Sequence, residues 1–214
     1  MDANRYGVLG FSVYSLNVSN IQRRGNTETD APTDAFGATD FAYALSYGFL
    51  IPDTGLSLGA TGKILDVNLD AAGARGFAMD VGALYRYEQV SVGLGLRNFG
   101  TLQKLNTATD PLPLTFFSGL GYRLTDRILL SADAALPRNN NALGALGAEY
   151  RHPFSEQLNG FLRAGYNMRN NKTGGLSGGS FGLGVGYYNF DFDFAWVPFG
   201  DLGNTFRYAL RVKF

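Results

Sequence analysis

From Phe206 to Phe214 the chain alternates without a break, with Phe206, Tyr208, Leu210, Val212 and Phe214 on one side and Arg207, Ala209, Arg211 and Lys213 on the other. Side chains of a β-strand point alternately to opposite faces, so this is a strand with one wholly apolar and one charged face. The pattern recurs in about twelve segments of roughly ten residues along the chain. A soluble sandwich would bury all these apolar faces against a second hydrophobic layer, and no separate layer is present in the sequence. The arrangement that serves every segment at once is an all-β, antiparallel up-and-down transmembrane β-barrel of about 12 strands, with lipid outside and the polar face lining the interior.

The segments differ in clarity. The first, at about 5–16, has ambiguous facing, with Leu9, Phe11 and Val13 set against Ser12 and Tyr14. In 39–50, Phe41, Tyr43, Leu45, Tyr47 and Phe49 oppose Asp40, Ala42, Ala44, Ser46 and Gly48. Segments at 56–67, 76–87, 90–98, about 112–124 and 127–136 follow the same rule, as do those around Leu146–Arg151 and Leu158–Asn167. The cleanest place Phe181, Leu183, Val185 and Tyr187 against three glycines, then Phe190, Phe192, Phe194 and Trp196 against Asp191, Asp193 and Ala195. Connections alternate too. Tight turns such as Ile51-Pro52-Asp53-Thr54-Gly55 and Thr125-Asp126 are interleaved with longer polar stretches at 17–38, 68–75, 99–111, 137–141, 168–179 and 197–204, read as external loops.

Composition narrows the alternatives. The 214 residues suit one domain, 1–214. With 18 basic and 18 acidic side chains the net charge is zero, which leaves no basic footprint for nucleic acid. Charged residues make up 17% of the chain, below the roughly 25% of soluble domains. No run approaches the roughly 18 apolar residues of a membrane helix, so embedding in a membrane must be by strands. The mean hydropathy near zero is what alternating strands average to. The absence of cysteine removes disulfide and thiol chemistry. Met1-Asp2-Ala3-Asn4-Arg5 lacks the apolar core of a signal peptide, so a mature or N-terminally truncated chain is the expectation.

Several short motifs occur in order over roughly residues 40–214: Gly95-Leu96-Arg97-Asn98-Phe99-Gly100, Leu112-Pro113-Leu114, Ser131-Ala132-Asp133, Gly147-Ala148-Glu149-Tyr150, Leu162-Arg163-Ala164-Gly165-Tyr166 and Gly200-Asp201-Leu202-Gly203-Asn204-Thr205. Together they resemble the PorV/PorQ-like outer-membrane proteins, barrels similar to the long-chain fatty-acid transporters. The resemblance implies a non-enzymatic barrel of the Gram-negative outer membrane, with a docking or secretion-associated role such as relatives have in the type IX secretion system of Bacteroidetes. Transport of hydrophobic or amphipathic small molecules is the alternative it implies. The chain departs from these relatives at its start, lacking their Asn-Pro-Ala-Gly segment and about two further strands. The expected partners are outer-membrane lipid, the barrel-assembly machinery, and either secreted protein cargo or a hydrophobic ligand. The C-terminal aromatic alternation resembles the assembly signal of such barrels, carried here by Tyr208, Leu210, Val212 and Phe214.

Candidate functional residues are the charges on the polar face: Asp40, Lys63, Asp80, Arg86, Arg97, Arg123, Asp133, Glu149, Arg151, Arg163, Asp191, Asp193, Arg207 and Arg211. They either pair across strands, satisfying one another away from lipid, or line a path for a polar or anionic solute. Asp191 and Asp193 share a face, but calcium takes six to eight oxygens, so no metal or other cofactor is assigned. His152 is the only histidine and has no nucleophile and carboxylate placed to form a triad. Gly182-x-Gly184-x-Gly186 is no phosphate loop, since no helix follows it; glycines on an inner face mark curvature or close approach of an inserted segment. Trp196, Tyr187, Tyr208, Tyr85 and Tyr87 fit aromatic girdles at the lipid boundaries.

Deleting Phe214 should impair insertion in cells more than it weakens the refolded barrel. Heat-modifiable gel mobility in cells and after refolding in detergent measures both, and equal insertion of full and truncated chains would refute it.

Overall fold

The computed structural model describes residues 7–26, 30–70, 72–102, 111–170 and 176–213. Phe214, the first residues of the 5–16 segment and the centres of the 99–111 and 168–179 stretches lie outside these. The described residues form twelve strands: β1 (Val8–Arg23), β2 (Asp34–Leu50), β3 (Leu56–Leu69), β4 (Ala72–Tyr87), β5 (Val90–Leu102), β6 (Thr115–Thr125), β7 (Ile128–Pro137), β8 (Leu143–Pro153), β9 (Leu158–Asn167), β10 (Gly179–Tyr187), β11 (Phe190–Pro198) and β12 (Asn204–Val212). They make one sheet in which the order of strands is the order of the sequence. Two compact units are distinguished along the chain, Met1–Ala83 with Gly95–Phe116, and Leu84–Leu94 with Phe117–Phe214.

Antiparallel pairing puts like faces together. In the second unit Phe181↔Trp196↔Phe206, Leu183↔Phe194↔Tyr208 and Val185↔Phe192↔Leu210 run across β10, β11 and β12 on one face. In the first, Tyr47, Leu45 and Tyr43 of β2 meet Leu9, Phe11 and Val13 of β1, which settles the ambiguous facing of the first segment. These side chains do not enclose a core. Among the described residues the buried hydrophobic ones are Ala44, Ala74 and Ala78, while Leu9 is 72% and Leu210 69% exposed. A sheet that leaves its largest apolar groups outside is stable only where its surroundings are apolar. Rings line the ends of the apolar stripe: Phe181 stacks on Trp196, whose Nε1 donates to Asn204 Oδ1 at 2.9 Å, and Tyr187 meets Tyr188 edge-on. An amphipathic ring with one hydrogen-bonded corner suits the border between hydrocarbon and water.

Boundaries differ from the sequence expectation in several places. The 17–38 stretch is mostly strand: β1 continues to Arg23 and β2 starts at Asp34, with an irregularity between Val18 and Ile21 where Asn20 takes a left-handed backbone (φ 58). In the 68–75 stretch β3 extends to Leu69, Asp70 takes a left-handed backbone (φ 56), and β4 starts at Ala72. The sixth strand begins at Thr115 rather than near 112.

The reason for the first two is visible in the facing. Beyond the row Val13↔Tyr43↔Ile64 the apolar stripe gives way to Ser15↔Phe41↔Asp66 and Asn17↔Thr39↔Asn68. On the opposite face the rows become apolar: Tyr14↔Ala42↔Leu65, Leu16↔Asp40↔Val67 and Val18↔Ala38↔Leu69. Outside hydrocarbon an outer face has water as its solvent, so it carries Asp66, bonded by Arg75 at 3.0 Å and Asn68 at 2.8 Å. A polar composition therefore marks strands that have left the lipid, and in the sequence alone it is indistinguishable from loop.

An arginine in place of Phe192, mid-stripe, should cost about 2–4 kcal/mol, against about 0–1 kcal/mol for Asn68→Arg beyond the stripe. Urea unfolding from liposomes measures both, and equal costs would refute this placement of the lipid boundary.

Candidate functional site

The polar face of the second unit is a grid that can be read from the pairing. Glu149↔Arg163↔Gly182↔Ala195↔Arg207 forms one row across β8 to β12. The next is Arg151↔Phe161↔Gly184↔Asp193↔Ala209, and the last Pro153↔Asn159↔Gly186↔Asp191↔Arg211. Every residue that β10 contributes to these rows is glycine. The consequence is reach: Arg163 on β9 crosses β10 and bonds Asp193 on β11 at 2.5 Å, while its Nε donates to Glu149 on β8 at 2.7 Å. A methyl at Gly184 would strike Asp193 Oδ1 and lie 3.1 Å from Arg163 Nη1 and 3.3 Å from Phe161 Cβ. The glycines thus accommodate side chains of the neighbouring strands, not an inserted segment. The Arg163 guanidinium also lies over the Phe161 ring, 5.1 Å from its centroid, a cation–π contact.

A second cluster closes the same face near the short turns. Asp191 accepts from Lys213 at 2.8 Å and lies 3.6 Å from Arg211. Asp191 and Asp193 are therefore each engaged by cations, and among the described residues no group of three His, Cys, Asp or Glu side chains could hold a metal. Asp133 faces the same way and covers Gly119, where a methyl would meet its Oδ1 at 2.7 Å. Arg151 donates from Nε to Asn159 at 2.9 Å. Arg123 lies on the face of Gly119 and Gly121 in β6, and Arg207 pairs with Ala195 on the polar side.

The first unit has its own cluster. Lys63 Nζ is 2.5 Å from Asp80 Oδ2 and 3.3 Å from Asn98 Oδ1, and Asp80 Oδ1 accepts the Asn98 backbone N–H at 2.9 Å. Asn98 is left-handed (φ 60), and just past it Gly100 packs so closely on β4 that a methyl there would collide with the Phe77 carbonyl oxygen. Asp40 sits between Leu16 and Val67 on the polar-side face. Arg86 has the parity of Asp80 in β4, and Arg97 is opposite in parity to Leu94 and Leu96 in β5. His152, on the apolar-side parity, meets Phe154 edge-on at 4.6 Å and Tyr150 Oη at 3.4 Å.

Alternation alone missed the apolar side chains on the polar face. Phe161 and Leu129 are placed there by their pairing with Arg151 and Glu149, and Leu65 by pairing with Ala42. Their signal was present as adjacent apolar residues, Phe161-Leu162, Leu129-Leu130 and Ile64-Leu65, since two neighbours in a strand cannot both face lipid.

No protein-family model matches the chain, and no curated protein matches it. Among solved structures it is similar to the Pseudomonas putida toluene transporter TodX, with TM-score 0.54 and 11% identity over 88% of this chain and 72% of that one. It is also similar to a TodX deltaS2S3 mutant monoaromatic hydrocarbon channel, with TM-score 0.56 and 12% identity over the same shares. At such identity the likeness concerns the fold: an antiparallel, up-and-down β-barrel of the bacterial outer membrane.

Replacing Gly184 with Val should break the bridge over β10 and destabilise the barrel by about 1–3 kcal/mol. In a double-mutant cycle of Arg163→Met and Asp193→Asn, the coupling should be about 0.5–3 kcal/mol. Urea unfolding measures both, and additivity within error would show that the pair contributes nothing.

Proposed function

We propose that this protein is a non-enzymatic outer-membrane conduit for hydrophobic or amphipathic small molecules. The observation that carries the reading is the backbone likeness, over most of the chain, to a toluene transporter and a monoaromatic hydrocarbon channel. The apolar side chains on the inward face add support, for Tyr14, Leu16, Leu65 and Val67 make rows where a purely aqueous pore needs none. Paired charges, Lys63 with Asp80 and the cations Arg163, Arg211 and Lys213 with the carboxylates Glu149, Asp193 and Asp191, neutralise one another, which lowers the field opposing entry of an uncharged solute.

A second reading, docking of secreted protein cargo, rests on the motif resemblance to PorV/PorQ-like proteins. Of the two outer loops it would use, 17–38 and 99–111, the first is largely β1 and β2, leaving 24–33 as the connection.

Expressed in a Gram-negative host whose lipopolysaccharide excludes hydrophobic compounds, the barrel should raise uptake of a labelled aromatic hydrocarbon above vector, with little change for a labelled disaccharide. Uptake equal to vector, or equal gains for both solutes, would refute the conduit reading.

A further inference from the structure

The short-turn end of the polar face in the second unit encloses a basin of about 800 Å³. Its walls come from the turns after β6, β8 and β10 and from the strand ends beside them. Arg123, Arg127 and Arg151 line it together with Phe161 and Leu129. The backbones of Arg127 and Arg151 are joined directly, Arg151 N–H donating to the Arg127 carbonyl at 2.8 Å, so these two arginines enter from facing positions.

The basin differs from the rest of the polar face in how its charges are used. Its strand carboxylates are already committed, Glu149 to Arg163 and Asp191 to Lys213 and Arg211. The basin's arginines are not. Arg151 uses its Nε on the neutral Asn159 amide, and Arg123 and Arg127 form no ion pair with any described residue, the turn carboxylates Asp126 and Glu156 included. A guanidinium has five N–H donors in a planar fork suited to carboxylate or phosphate oxygens, so three such groups around one basin leave a set of anion-directed donors without a protein partner. Beside them lie two of the apolar side chains that break the alternation. Phe161 keeps its ring on this face beneath the Arg163 guanidinium, and Leu129 is placed here by its pairing with Glu149. A site for water or simple ions has no use for them; a ligand with a charged head and an apolar body uses both.

We infer that this basin binds a small organic anion with an apolar body, its anionic head held by Arg123, Arg127 and Arg151 and its body against Phe161 and Leu129. In a conduit the site is the station at the short-turn mouth, where an amphipathic solute exchanges hydrocarbon-like contacts for water. The inference rests on the conduit reading for its biological sense, but binding is measurable without transport.

The probe is 4-(trifluoromethyl)benzoate, followed by fluorine NMR with the full chain in nanodiscs of uncharged lipid and empty nanodiscs as the blank. Saturable binding is expected for the native chain. It should weaken roughly tenfold or more when Arg123, Arg127 and Arg151 are all changed to Gln, the loss expected when charge-assisted hydrogen bonds are removed. Phe161→Ala should weaken the aromatic anion while leaving displacement by inorganic phosphate unchanged, and Arg138→Gln, in the connection after β7, should leave affinity unchanged. Heat-modifiable mobility verifies that each variant is folded, and single Arg→Gln changes with graded losses serve if the triple variant fails to insert. The proposal is overturned by absence of saturable binding to the native chain, by native affinity in the folded arginine variants, or by inorganic phosphate binding as tightly as the aromatic anion. Binding that follows these expectations in a barrel that gives no hydrocarbon uptake would sink the conduit reading and leave the site standing.

Discussion

The structure depends on one constraint: in hydrocarbon every backbone N–H and C=O must find its partner within the protein, because no water is there to take its place. The sheet meets this by pairing each strand with its sequence neighbour, from Val8↔Gly48 at one end to Phe190↔Val212 at the other. With the hydrogen bonds carried by the ladder, side chains are released from forming a core. That is why buried hydrophobic positions are held by alanines such as Ala44 and Ala78, while leucines and aromatics stand outside. Lipid replaces the second hydrophobic layer that a soluble sheet would need.

The inward face answers to a different cost, that of leaving charge unpaired away from water. Its solution depends on small residues as much as on charged ones. Arg163 can bridge Glu149 and Asp193 only because β10, the strand between it and Asp193, presents glycine. The Lys63, Asp80 and Asn98 cluster likewise uses a left-handed Asn98 to aim its backbone N–H at a carboxylate. Against this background of satisfied charge, the basin with Arg123, Arg127 and Arg151 stands apart, since its cations are directed at an open volume and lie beside Phe161.

Where the strands pass out of the lipid, the same backbone carries the opposite code. Asp66, Asn68 and Arg75 take the outer face while Leu65, Val67 and Leu16 take the inner one. Strand geometry is indifferent to which face is apolar; the solvent on each side decides. One period-two element thus reads as a membrane strand over Tyr43–Phe49 and as a polar loop over Asp34–Ala38, although both belong to β2.

The sequence by itself determined the class of the fold, the number of strands and the facing of most side chains, because a period of two with one apolar face admits few structures once no second layer exists to bury it. Phe181 to Tyr187 and Phe190 to Trp196 could be placed residue by residue on that ground alone. Only the tertiary structure decided what depends on neighbours: that β1 continues to Arg23 and β2 starts at Asp34, that Phe161 and Leu129 face inward, and which carboxylate each cation meets. Cross-strand register sets those pairings, and register arises from the whole ladder rather than from any one segment. Asp193 meets Arg163 instead of a residue on an adjoining strand because two glycines, Gly182 and Gly184, lie between them, a relation thirty residues long in sequence and one strand wide in space.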